Sequence, residues 1–266
     1  MNTVCINGVE IAYEIDGTLD PSRPWVVFIH SLASDLSQWD EQINALADEY
    51  RILRYDIRGH GGSSVPAGPY SLESLADELK LLLDELLIAQ VHLVGLSLGG
   101  MIAQQFALRH PIRLRSLVLA STTSRANPDA VAVWQARLAE VERRGMDAVV
   151  ESTLERWFTP AFRQREPGLC KWIGRQIQAT SAAGYAACAH AVARVALSSR
   201  LGVITCPVLV IAASEDRSTP LAQAEEIVRA IPQSRLRVIR DAAHLCQVEQ
   251  PAAFNAALER FLRENR

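Results

Sequence analysis

The sequence predicts an α/β protein: a mostly parallel β-sheet with helices on both faces, interrupted by an inserted helical cap. Three observations predict it. Short apolar runs alternate with stretches of helical period along the first 121 residues, and again from 206 to 262. That alternation is the pattern of a parallel sheet wrapped by helices. At least one run, WVVFIH, is apolar throughout, as a strand covered on both faces should be. Between 122 and 200 the rhythm stops, and only helical patterns remain.

The elements follow in order. The chain opens on strands, with partly alternating VEIAYEID (Val9–Asp16) bounded by Gly8 and Gly17. Trp25–His30 is the next strand, Gln38–Ala47 winds as a helix, and Ile52–Tyr55 is a short strand running into the glycine-rich RGHGGSS. Apolar residues at Leu72, Leu75, Leu79, Leu82, Leu83, Leu86 and Leu87 give a helix over Leu72–Leu87, with Ser71 placed to cap it. VHLVGL is a strand, Leu98–Arg109 a helix stopped by Pro111, and Leu114–Ser121 another strand. The strandless middle carries helical patterns at Ala130–Arg144 and Ala148–Phe158. Strand Cys206–Ser214, helix Leu221–Ala230, strand SRLRVIRD and helix Pro251–Leu262 complete the chain. The expected organisation is a core of residues 1–121 and 201–266 carrying a helical cap of residues 122–200.

With 266 residues, 49% hydrophobic, 21% charged and a net charge of -3, the composition is that of an ordinary globular protein. There is no basic excess to suggest nucleic acid, and no apolar run long enough to span a bilayer. The first residues lack the basic start and apolar core of a signal peptide. Five scattered cysteines, none in a CxxC pair, fit a reduced, cytoplasmic protein. A homo-oligomer is compatible with the sequence, which does not specify oligomeric state. No HExxH and no clustered histidine–cysteine spacing suggests a metal, and none of the chemistry below needs a cofactor.

The chemistry begins at VHLVGLSLGG. Gly95-Leu96-Ser97-Leu98-Gly99 fits G-x-S-x-G where a strand ends and a helix begins. A sharp strand-to-helix turn strains its central residue and crowds the positions two before and two after, where glycine removes the clashing Cβ. The turn exposes the serine hydroxyl, and the amino end of the helix favours developing negative charge. Ser97 as a plain helix cap is the bland alternative.

A serine nucleophile needs a base. Of six histidines, His244 lies in the loop after the last strand, at the carboxyl end of the sheet, where a site should form. Asp216 follows a strand in VLVIAASEDRSTP and gives the order serine, acid, histidine; adjacent Glu215 competes with it, and Asp241 more weakly. An oxyanion needs backbone donors. The N–H of Leu98 is one, and the loop after WVVFIH should supply the second through Leu32 in HSLAS.

These motifs resemble those of serine α/β-hydrolases over nearly the whole chain. HSLAS resembles the HG-x-G loop of that family, YDIRGHGGSS its D-x-R-G-x-G-x-S turn, and GLSLGG its nucleophile elbow. Ser31 stands where the family usually has glycine. The glycine-rich turn is no phosphate loop, because no GK[ST] follows. The resemblance implies the α/β-hydrolase fold with an eight-stranded sheet and the triad Ser97, Asp216 and His244. More narrowly, HSLASDLSQWD, YDIRGHGGSS, GLSLGGMIAQ, LVLASTTSR and SEDRSTP together resemble 3-oxoadipate enol-lactonases. That implies opening of a small anionic enol-lactone in aromatic degradation. A general carboxylesterase, a carbon–carbon bond hydrolase or a ligand sensor of the same fold remain alternatives. Ser97 in place of aspartate argues against haloalkane dehalogenase and epoxide hydrolase chemistry.

The expected cap is basic: ten Arg and one Lys against seven Asp or Glu, a formal charge of +4. A positive lid suits an anionic lactone, although arginines of this kind also decorate ordinary solvated helix faces. Three of the five tryptophans lie there, and Trp134 is the candidate pocket residue. An indole walls a small pocket and offers one N–H donor.

Overall fold

A computed structural model describes residues 1–266. Eight strands form one sheet in the order β1-β2-β4-β3-β5-β6-β7-β8. They are β1 (Asn2–Ile6), β2 (Val9–Gly17), β3 (Trp25–Ile29), β4 (Arg51–Tyr55), β5 (Val91–Leu96), β6 (Leu114–Ala120), β7 (Val208–Ala213) and β8 (Ser234–Ile239). β2 runs antiparallel to both β1 and β4, and all other pairs are parallel. The fold is the α/β-hydrolase fold.

The central strands β3, β5 and β7 are buried at every position, because helices cover both faces. On one side α2 (Leu72–Glu85) packs on α3 (Leu98–Arg109); on the other, α1 (Asp40–Leu46) packs on α11 (Pro251–Glu264). Ser71 caps α2 as its position suggested, in a reciprocal capping box with Ser74. α9 (Leu221–Ala230) lies on β7 and β8, and α10 (Cys246–Glu249) adjoins α11. No helix is long and apolar enough to cross a membrane.

Two expectations change in detail. The opening segment holds a separate edge strand, β1, whose pattern is mostly exposed and so carries no apolar run to announce it. The helix expected over Gln38–Ala47 is a 3₁₀ turn at Leu36–Trp39 followed by α1, because Asp35 accepts from the Ser37 N–H and starts the turn early.

Between β6 and β7 the chain leaves the sheet and forms α4 (Ala130–Arg144), α5 (Asp147–Trp157), α6 (Pro160–Arg165), α7 (Pro167–Ala179) and α8 (Ala182–Ala193). The two ends of this excursion run side by side. Arg125 and Ala196 form an isolated antiparallel bridge, and the Leu197 N–H donates to Ser124 O at 2.7 Å.

Candidate active site

The chain passes from β3 to β4 on one side and then returns to β5 on the other. β3 and β5 therefore flank a topological switch point, whose crevice opens beyond their carboxyl ends. Ser97 follows β5 and Leu32 lies in the loop after β3, so topology alone brings them together.

Ser97 has φ 56° and ψ -116°, in the left-handed region that side chains avoid. A Cβ on Gly95 would lie 2.2 Å from Gly99 O, and one on Gly99 would lie 2.2 Å from Ile29 O. Both glycines are thus required by contact. Thr122 Oγ1 donates to Ser97 O at 2.7 Å, and the Ser97 N–H donates to Ala120 O, so the strained turn is held from β6. Leu98 is the first residue of α3, so its N–H has no intrahelical acceptor. Neither it nor the Leu32 N–H donates to any protein acceptor.

The loop that carries Leu32 is fastened on both sides. Ser31, at the family's glycine position, is buried; its N–H and Oγ both donate to Gln38 Oε1, at 3.0 and 2.7 Å. Ala33 stands at the last position of the HG-x-G pattern with φ 61°, where glycine is ordinarily favoured. Its N–H donates to His60 Nε2 at 3.1 Å, which holds the strained residue in place. His30 Nε2 accepts from the Ile57 N–H, and Asp56 accepts from the Leu36 and Gly62 N–H groups. The glycine-rich turn is therefore a brace for the loop that carries Leu32. Burial lowers the His30 ring and takes His60 down to about 3, and the Nε2 of each ring accepts a backbone N–H, a role open only to an unprotonated nitrogen. His92 is buried against Ser116 and lowered to about 4, His110 meets Asp77, and His190 meets Arg194.

His244 is the histidine that faces the crevice. Its Nδ1 lies 2.8 Å from Asp216 Oδ2, and both residues are buried. Asp216 also accepts from the Ser218 and Thr219 N–H groups at 2.8 and 3.0 Å and from Thr219 Oγ1 at 2.6 Å. Burial alone would raise this carboxyl. The His244 ring and the Thr219 donors outweigh burial, so Asp216 lies below the ordinary carboxylate value. Glu215 and Asp241 are exposed, and neither carboxylate bonds to His244.

Ser97, His244 and Leu32 line one cavity of about 360 Å³ with Trp134, Arg137 and Arg156. Trp134 is half-buried, with its ring 6.2 Å from that of Tyr185. Arg137, one turn on in α4, donates to Tyr185 OH and Thr153 Oγ1, both at 2.5 Å, and to Ser152 Oγ. Arg156 of α5 reaches the same Thr153 hydroxyl at 3.4 Å. These partners are neutral oxygens, so neither arginine is bonded to a carboxylate; Asp129 and a third arginine, Arg217, also line the cavity. Burial, then the nearby Arg137 charge, pulls the Arg156 guanidinium down to about 10, still a cation at neutral pH. Sequence reasoning reached Trp134 and the net charge of the segment but did not single out these two arginines. Their shared helical face with Trp134 and Thr153 was the available signal.

A family profile described as alpha/beta hydrolase fold matches residues 24–251. The chain is 36% identical over 258 residues to 3-oxoadipate enol-lactonase 2 of Acinetobacter baylyi, covering 97% of this chain and 95% of that one. It is 29% identical to a protein named as a carbamate hydrolase, RutD, of Agrobacterium fabrum, over 94% of this chain and 97% of that one. Among solved structures, the enol-lactonase from Burkholderia xenovorans LB400 superposes with a TM-score of 0.95 at 35% identity, over 98% of this chain and 100% of that one.

Proposed function

The chain belongs to the alpha/beta hydrolase family, and from that premise we propose that it opens the ester bond of a small anionic lactone, 3-oxoadipate enol-lactone being the preferred substrate. One observation carries this reading. A serine on a strained elbow, a carboxylate-fixed imidazole and Leu32 line a small cavity with two arginines that have no acidic partner, and the Leu32 and Leu98 N–H groups have no protein acceptor.

Asp216 fixes the His244 ring with Nδ1–H toward the carboxylate, leaving Nε2 to accept the Ser97 proton. The hydroxyl oxygen attacks the lactone carbonyl, and the Leu32 and Leu98 N–H groups receive the developing oxyanion. Collapse breaks the ring C–O bond. The leaving oxygen departs as an enolate, stabler than an alkoxide, and takes the proton held on His244. It stays tethered to the acyl-enzyme, and tautomerisation to the ketone removes it as a competing nucleophile. His244 then deprotonates a water, which attacks the acyl-enzyme; as the acyl C–O bond breaks, the imidazolium returns its proton to the Ser97 oxygen, freeing the acid and regenerating both groups.

Arg137 and Arg156 supply the substrate preference. Two half-buried cations whose partners are all neutral favour a ligand that brings a carboxylate. Likeness to an enol-lactonase over nearly the whole chain supports the same reading. Likeness to a carbamate hydrolase keeps a broader acyl hydrolase as the second reading.

The test compares kcat/KM on the enol-lactone with kcat/KM on its neutral methyl ester. A preference of about ten-fold or more for the carboxylate form is expected for one well-placed charge contact. Equal rates remove the anionic-lactone assignment and leave a general esterase. Tight binding of the lactone without turnover would instead identify a ligand sensor.

A further inference from the structure

Glu249 is a buried carboxylate with no part in the chemistry above, only 3% exposed at the end of α10. Its Oε2 accepts from the N–H of Ala243, the residue before His244, at 2.9 Å. Its Oε1 accepts from the N–H of Thr159 at 3.3 Å and from the Thr159 hydroxyl. Thr159 lies 90 residues away in sequence, between α5 and α6, and caps α6 by accepting from the Phe162 N–H. On the other side of His244, the Leu245 N–H donates to Trp157 O, at the end of α5, at 3.1 Å. Both chain neighbours of His244 are therefore fastened to the same junction of the helical insertion, one directly and one through Glu249.

We propose that Glu249 is a positioning residue for His244, and that it couples the placement of the ring to the seating of the α5–α6 junction. The proposal rests on the triad reading above. A carboxylate suits this task because it only accepts, and it has lone pairs for three donors at once. A glutamine would present an N–H₂ group to one of the two sets of donors, leaving buried hydrogen-bonding groups facing one another unsatisfied. Released at Ala243, the loop can shift by a fraction of an ångström. An imidazole that must stand within hydrogen-bond reach of Ser97 tolerates little of that. The helical insertion then does more than cover the cavity, since its seating sets where the base stands.

The test uses the full chain as Glu249→Gln, Thr159→Val and Thr159→Ser. It measures kcat and KM on the lactone and the rate at which a neutral fluorophosphonate labels Ser97. The expected result for Glu249→Gln and Thr159→Val is a fall in kcat of about ten-fold to 100-fold with KM near wild type. Labelling slows in parallel, because the probe needs His244 but no arginine. Thr159→Ser, which keeps the hydroxyl, restores wild-type rates. Wild-type kcat and labelling in both impaired candidates overturns the proposal, as does a loss confined to thermal stability or to KM. Should Glu249→Gln fail to fold, the Thr159→Val and Thr159→Ser pair decides alone. Labelling that survives Ser97→Ala overturns the triad reading itself, an outcome distinct from any result at Glu249.

Discussion

The floor and the roof of the cavity are built on different principles. The floor comes from loops at the carboxyl ends of strands, and backbone geometry decides it: the Ser97 elbow, the N–H groups of Leu32 and Leu98, and the loops carrying Asp216 and His244. The roof comes from α4, α5 and α8, and long side chains decide it: Trp134, Arg137, Arg156 and Tyr185. Reacting atoms are held by main-chain bonds that few substitutions can move. Groups facing the rest of the substrate hang on rotatable chains over a helical scaffold. On the proposed function, bond breaking belongs to the rigid part and selectivity to the part that can vary without unfolding the sheet.

Substitutions on each side should break this contrast if it is false. The largest effect belongs to the floor. Ser97→Ala is expected to lower kcat about 10⁴-fold or more, with the circular dichroism spectrum unchanged, and Asp216→Asn by a comparable factor. Asp216 also leaves a signature in stability. Its carboxyl lies below the ordinary value in the folded chain, so its contribution is complete above the unfolded value of about 3.9 and is lost as pH falls through the folded one. Asp216→Asn should therefore flatten the decline of Tm with acidification below pH about 4. A variant that declines as steeply as wild type refutes that assignment.

The roof predicts a smaller and selective loss. Arg156→Leu is expected to lower kcat/KM on the anionic lactone by about ten-fold to 100-fold while a neutral ester of similar size changes little. Equal losses on both would mean that Arg156 supports the fold and not the substrate.

The smallest effects are expected at two glycines and are read in denaturant titrations. Gly99→Ala puts a Cβ against the Ile29 carbonyl and should destabilise by about 1–3 kcal/mol. Gly168→Ala in α7 meets nothing within 4 Å and should stabilise by about 0.4–1 kcal/mol. A destabilising Gly168→Ala would show the insertion to be as tightly constrained as the elbow.

Much of the floor is legible in the sequence because it is local. G-x-S-x-G states its own steric problem within five residues, and the contacts of Gly95 and Gly99 are those the motif implies. Helices Leu98–Arg109, Ala130–Arg144 and Leu221–Ala230 emerge with the bounds their periodicity suggested. Other features are not local. Ser31 is accommodated because Gln38, seven residues on, takes both its donors, and Ala33 keeps a left-handed backbone because His60 receives its N–H. Nothing in HSLAS by itself announces either partner. Edge strand β1 was indistinct for a simpler reason, since an exposed edge needs no apolar run.

The order of strands and helices and the tight turn at Ser97 are legible in the chain alone. Period, glycine placement and motif spacing are written along the chain and act over a few residues. Long-range packing alone brings Asp216 and not Glu215 to His244, leaves Arg137 and Arg156 at the cavity without acidic partners, and ties the His244 loop to Thr159 through Glu249. Each of these depends on which side chains packing brings within 3 to 4 Å of one another across long loops, and hydrogen-bond and charge energies vary steeply over that distance.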